Sequence, residues 1–218
     1  AGYIYSGYTA AHSFKHLIGR EYEKVIILAP SHYDRYDGIT TWEGSGLETP
    51  LGVVEIDDSD HLLKYGVEKS RLGFGREHSL EVQLPFLQKV LKPGWKLVPL
   101  VMGDQSYETI RLGESILCSY ISKKNLIIIS SDLSHFHSYE RAKVIDGHFL
   151  NFIELDRLPD LYDAHKQGLV EACGFGPIMS FLKLGVKSQI LDYKNSGDTM
   201  GDRNKVVGYT SIGAFWDA

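Results

Sequence analysis

Val25-Ile26-Ile27-Leu28-Ala29 runs without a polar break into Pro30-Ser31-His32. A short, continuous, β-branched apolar run of this kind predicts a strand buried on both faces, as in a parallel sheet. Leu126–Ile129 repeats the pattern and runs into Ser130-Ser131-Asp132-Leu133-Ser134-His135. Further strands are expected at Val53–Ile56, Leu97–Met102, Ser188–Tyr193 and Val206–Phe215. The last pair is placed as antiparallel or at an edge, since its second member alternates in places and follows a polar loop.

Helical spacing fills the intervals. Leu80, Leu84, Leu87 and Leu91 mark an amphipathic helix over Ser79–Leu91. Tyr8–Ile18, Tyr107–Ile121, Tyr139–Leu155 and Leu158–Gln167 read as helices, and Gly176-Pro177 opens another through Leu184. Tyr3–Ser6 reads as a strand end, Gly7 as a turn and Trp42–Gly52 as a loop. Alternating strands and helices predict an α/β fold, a three-layer αβα sandwich around a mostly parallel sheet with antiparallel strands near the C-terminus.

The 218 residues form one expected domain, 1–218, able to bury roughly 70% of the unfolded surface. Hydrophobic residues make up 43% and charged residues 23%, which excludes wholesale disorder. With Lys+Arg 23 against Asp+Glu 28, the net charge is −5, and no block of like charges stands out. Nucleic-acid binding and a polybasic membrane patch are not expected. No apolar run approaches the ~20 residues of a membrane helix. Two cysteines make no disulfide framework, so a cytoplasmic location with reduced thiols is expected. The chain starts without a Met at Ala1, inside what reads as a motif, so a piece upstream is expected to be missing. No dinucleotide fingerprint, phosphate loop or nucleophile elbow occurs.

Ligands of open α/β sheets bind beyond the carboxyl ends of the strands. Three segments there carry chemistry: Pro30–His32, Ser130–His135, and Glu171–Gly174 ahead of the helix at Pro177. His32 reads as a metal ligand or general base, or else as a loop histidine bonded to backbone. Cys173 reads as a small buried hydrophobe, or as a thiolate near a helix start, hence a ligand or nucleophile. Asp132 and His135 suit a base with its orienter or a ligand pair. Alternatively, Asp132 caps the following turn. Cys118 is expected in the core and His137 on the surface. Glu77 has an ordinary first-turn dipole role, with His78 able to point into the same cleft. His12, His16, His61, His148 and His165 have no distinguishing context. Tyr33, Tyr36 and Trp42 are candidates to line a groove or to pack between core and water.

Seven segments carry a family resemblance: AGYIYSG (Ala1–Gly7), PSH (Pro30–His32), ETPLG (Glu48–Gly52), EHSLEVQLPFL (Glu77–Leu87), SSDLSH (Ser130–His135), ACGFGPI (Ala172–Ile178) and GYTSIGAF (Gly208–Phe215). In order and spacing they resemble the Memo family across nearly the whole chain. The resemblance implies a fold like that of class III extradiol (LigB-type) dioxygenases. It also implies a site of two histidines and a cysteine, where those enzymes use two histidines and a glutamate. His32 and Cys173 match two ligands. The third would be a histidine immediately before Ala1, which this sequence lacks, so the chain as it stands is expected to hold metal weakly or not at all. Asp132 and His135 match the acidic and histidine positions beside the metal, the catalytic candidates.

Such a site suits Fe(II), with the thiolate making Zn or Cu competitive. A metal-dependent redox enzyme or oxygenase acting on a small phenol is one implied function. A non-catalytic metal-, peptide- or partner-binding adaptor is the other. AMMECR1-like and radical-SAM proteins are the implied pathway partners.

Overall fold

A computed structural model describes residues 1–58 and 60–216. The chain divides into two compact units. One comprises Leu17–Ser130 with Gly176–Leu184; the other comprises Ala1–His16, Ser131–Phe175 and the residues from Gly185 on.

The first unit is built on a five-stranded sheet. Its strands are β1 (Lys24–Pro30), β2 (Ile39–Thr41), β5 (Glu68–Lys69), β6 (Lys96–Met102) and β7 (Asn125–Ile129), in the order β5-β2-β6-β1-β7. β1 lies parallel to both β6 and β7, and β2 runs antiparallel to β6. Val25 through Ala29 are all fully buried, so both faces of β1 are covered, which is why its sequence carries no alternation. On one face, Ile26, Leu28, Val98 and Leu100 pack with Ile116 and Leu117 of α3 (Tyr107–Cys118). Leu62 of the 3-10 helix Asp60–Tyr65 joins that cluster, with Phe181 of α6 (Phe175–Leu182) packed against it. The hairpin β3 (Gly46–Thr49) and β4 (Gly52–Glu55) occupies part of the expected loop.

The expected helix Ser79–Leu91 is divided into a 3-10 turn, Glu81–Gln83, and α2, Leu84–Val90. Pro85 is the cause: it has no N–H, and its ring clashes with the carbonyl four residues back, so it is tolerated only in a first turn. Leu80, Leu84, Leu87 and Leu91 are nevertheless all buried, as the spacing requires.

The second unit holds a three-stranded antiparallel sheet. β10 (Val206–Phe215) lies between β8 (His135–His137) and β9 (Lys187–Asn195). Its helices are α1 (Tyr3–Phe14), α4 (Tyr139–Glu154), α5 (Leu158–Lys166) and α7 (Ser196–Met200). Tyr3–Ser6, read as a strand end, is the first turn of α1, with Gly7 inside the helix. Packing overrides the local β-propensity of Tyr and Ile here, since α1 buries Thr9 and Phe14 and leaves Ile4 and Tyr8 outside. The α/β class, with parallel strands at the centre of its main sheet and antiparallel strands towards the C-terminus, is the LigB-like class that the resemblance implies. Among the described residues, no helix is long and apolar enough to cross a membrane.

Candidate functional site

Parallel pairing aligns the carboxyl ends of the central strands of the first unit. Pro30 lies opposite Met102, and Leu28 opposite Ile129. His32 follows two residues beyond the end of β1. Glu77, only 5% exposed, grips it: the His32 amide donates to Oε2 at 2.5 Å, and Nδ1 lies 3.1 Å from both carboxylate oxygens. The same carboxylate accepts from the amides of His78 (3.0 Å) and Ser79 (2.9 Å). Burial pushes the Glu77 carboxyl up, but the bonds from the His32 ring and amide and from Ser79 outweigh it and hold the pKa at about 2. An ionised Glu77 makes Nδ1 the protonated ring nitrogen, which leaves the lone pair of the neutral imidazole on Nε2. Glu77 therefore orients His32 directly and is more than a first-turn charge.

His78 is exposed, its ring 6.1 Å from that of Tyr33. Of the three aromatics considered for a groove, only Tyr33 is exposed, at 57%. The Tyr36 hydroxyl is tied to Thr40 and to the Val101 carbonyl. Trp42 donates to the Gly46 carbonyl and packs on Phe74. Both are packing residues.

In the second unit, the segments carrying Asp132 and Cys173 are joined by a reciprocal pair of bonds. The Asp132 amide donates to Cys173 Sγ at 3.2 Å, and the Cys173 amide donates to the Asp132 carbonyl at 3.1 Å. Ser131 Oγ accepts from the Gly174 amide at 2.8 Å and lies 3.7 Å from Cys173 Sγ. The sulfur therefore accepts a backbone N–H and lies beside a hydroxyl. Cys173 is half-buried, so the inert core role does not describe it. Asp132 Oδ2 accepts from the Ala1 nitrogen at 3.2 Å rather than capping the following turn.

His135 opens β8, half-buried, its ring edge-to-face with Phe136. His137 is not a bare surface residue: Nε2 lies 2.9 and 3.0 Å from the Glu171 carboxylate oxygens. His165, without distinguishing context in the sequence, stacks on Phe175 at 3.6 Å, and its Nδ1 lies 3.4 Å from the Val170 carbonyl. It thus touches both ends of the segment that carries Glu171 and Cys173.

Cys118 is exposed, contrary to the expected core position. The helix α3 ends at this residue, and its buried face is Ile110, Gly113, Ile116 and Leu117, which turns the next position outward.

The structure thus brings Asp132 and Cys173 together in one unit, with His135 three residues further along the same chain segment, and prepares His32 in the other. Among the described residues, no group of three or more His, Cys, Asp or Glu is gathered closely enough to hold a metal ion. The donor types fit a borderline or soft divalent ion: an imidazole with its tautomer fixed by a carboxylate, and a sulfur that accepts a backbone N–H.

A family model described as Memo-like protein matches residues 1–213. A MEMO1 family protein of Methanosarcina mazei is 38% identical, the match covering 97% of this chain and 82% of the relative. One from Aquifex aeolicus has the same identity and coverage, and one from Nitrosopumilus maritimus is 35% identical over 97% of this chain and 81% of its own length. A match of this extent is decisive: the chain belongs to the Memo family.

Proposed function

We propose that this chain is a metal-dependent protein, a redox enzyme or oxygenase of a small phenolic substrate, with His32 and Cys173 as protein ligands of a divalent ion. Fe(II) is the first candidate, and Zn or Cu the alternatives that a thiolate allows. The carrying observation is the Glu77–His32 pair, the carboxylate–histidine arrangement that orients metal-binding imidazoles and raises their basicity. When bound, the ion would supply Lewis acidity and, in the case of iron, one-electron redox chemistry. The chain's own groups do the rest. Asp132, whose backbone is bonded to Cys173, gives a carboxylate, and the His135 imidazole is the proton acceptor for a phenolic hydroxyl or water. Two cysteines outside any disulfide support a reducing, cytoplasmic setting.

The test is anaerobic purification of the full-length protein, metal analysis and oxygen uptake with a panel of catechols. His32→Ala and Cys173→Ser should each bring the metal content to background with the fold retained, and affinity should fall on acidification as protons compete for the ligands. Glu77→Gln should weaken metal binding roughly 10- to 100-fold. Parent metal content in the Cys173→Ser protein would refute the assignment.

A second reading is a non-catalytic binding protein, with AMMECR1-like or radical-SAM proteins as candidate partners. The exposed rings of Phe136 (69%) and Tyr33 (57%), each next to a site histidine in sequence, favour it. Stoichiometric metal with no turnover of any catechol would select that reading.

A further inference from the structure

The proposed mechanism does not use Asp146, a fully buried carboxylate in the second turn of α4, nor the motif that begins at Gly208. The two meet at the Asp132–His135 segment. Asp146 Oδ1 accepts from the Ser134 amide at 3.0 Å, and Oδ2 accepts from the Tyr193 hydroxyl at 2.8 Å. Gly208 brackets the same segment: its amide donates to the Ser134 carbonyl at 2.9 Å, and its carbonyl accepts from the Leu133 amide at 2.8 Å. A Cβ on Gly208 would lie 2.1 Å from Asp146 Oδ2 and 2.7 Å from its Cγ, so the strand backbone presses directly on the carboxylate. Leu133 and Ser134, both buried, thus have their amides held by Gly208 and Asp146.

We propose that Asp146 is the positioning residue of the Asp132–His135 segment, a buried carboxylate seated against Gly208 that fixes the backbone of Ser134 and so the places of the acid and the histidine on either side. Asp146 needs no contact with any ligand for this. It acts through one backbone bond, and Gly208 is required because no other residue leaves room for the carboxylate. The positions of Leu133 and Ser134 are read from the protein itself. Only the task assigned to Asp132 and His135 rests on the proposed function.

The experiment is amide hydrogen exchange and histidine-ring NMR on the full metal-free chain. In Asp146→Ala the Ser134 amide loses its buried acceptor, and exchange at Leu133, Ser134 and Gly208 should quicken about tenfold or more, with the His135 ring signal displaced. Amides of β1 and α3 and the ring signal of His61 should stay in place. Asp146→Asn keeps an acceptor for Ser134 and a polar partner for Tyr193. It should return the His135 signal close to that of the parent, with Ser134 exchange only a few-fold faster. A folded Asp146→Ala protein with parent exchange at Ser134 and a parent His135 signal would overturn the proposal. If the Ala protein does not fold, the Asn protein decides: selective acceleration at Ser134 and Gly208 supports the assignment, and uniform acceleration or none overturns it. Zn2+ titration of the same proteins adds a separate arm, with weaker binding in Ala and recovery in Asn. A full-length protein that binds no Zn2+ would count against the proposed function alone, because the exchange data are collected without metal.

Discussion

Glu77 and Asp146 are both buried carboxylates that hold a backbone N–H next to a site residue, yet their acidities are driven in opposite directions. Burial raises both. At Glu77 the amides of His32, His78 and Ser79 and the His32 ring converge on the two oxygens and carry the pKa down to about 2. At Asp146 the Ser134 amide and the Tyr193 and Ser134 side chains offset burial only in part, and the carboxyl stays raised. The number of N–H donors decides which effect wins. The first unit therefore holds a settled anion at the end of a parallel sheet. The second holds a poorly compensated one under an antiparallel sheet. It also contains both non-glycine residues with left-handed backbone among those described, Phe136 and Asp156. In the second unit the Gly208 backbone is wedged against that carboxylate.

The wedge should be the more brittle of the two. Gly208→Ala drives a methyl into a carboxylate that cannot retreat. Overpacking costs about 1–3 kcal/mol, and a displaced buried hydrogen bond adds about 1–3, so a loss of about 4 kcal/mol is expected from urea unfolding. A loss under about 1 kcal/mol would show that Asp146 has room to move.

Glu77→Gln comes next. A shift from 4.5 to about 2, at 1.36 kcal/mol per unit, is worth about 3 kcal/mol. A depressed pKa stabilises fully above the unfolded value and loses that stabilisation as pH falls through the folded one. The gap between parent and Gln proteins should therefore be widest above pH 4.5 and close towards pH 2. Asp146→Asn should show the reverse trend. Its raised carboxyl costs stability as pH climbs above the unfolded value of 3.8, a cost that Asn does not carry. The Asn protein should gain on the parent from pH 4 upward. Parallel pH trends in the two variants would break the comparison.

The parts of this contrast that sequence carries are unequal. The buried run at Val25, the leucine ladder from Leu80 to Leu91 and the reactive residues at strand ends are legible, because periodicity and position are local; Leu126–Ile129 forms the expected strand, but as the last in its sheet and only half-buried, because an apolar run does not tell a central strand from an edge one. Glu77 stands 45 residues from His32, and a glutamate ahead of a helix has an ordinary explanation, so its partner was hidden. Asp146 did leave a trace. Ala142, Ile145, Phe149, Leu150 and Ile153 form the buried stripe of α4, and Asp146 sits on that stripe at helical spacing. A charge on an apolar face is that signal. Pro85 was a similar local warning against one long helix. The His137–Glu171 pair joins residues 34 apart and left no such mark. At 32% and 36% side-chain exposure, the pair should cost no more than about 1 kcal/mol when Glu171 becomes Gln.

The smallest expected effect concerns the strain in the second unit, and its sign is favourable. His137 pairs with Val206 and His135 with Val207, so Phe136 is the extra residue of a β-bulge, at φ 62°. A bulky side chain costs roughly 1–3 kcal/mol there, a conformation that glycine adopts freely. The ring returns little, since it is 69% exposed and its nearest aromatic neighbour is His135, centroids 5.7 Å apart. Phe136→Gly should therefore stabilise the protein by about 1 kcal/mol after the entropy of a freer unfolded chain is counted. Phe136→Ala removes the ring but keeps the left-handed strain, so it should not gain. Equal gains for Gly and Ala in thermal unfolding would place the cost in the exposed ring rather than in the backbone. A gain confined to Gly would show that this unit retains strain beside His135 that a single substitution relieves, where nothing comparable exists beside His32.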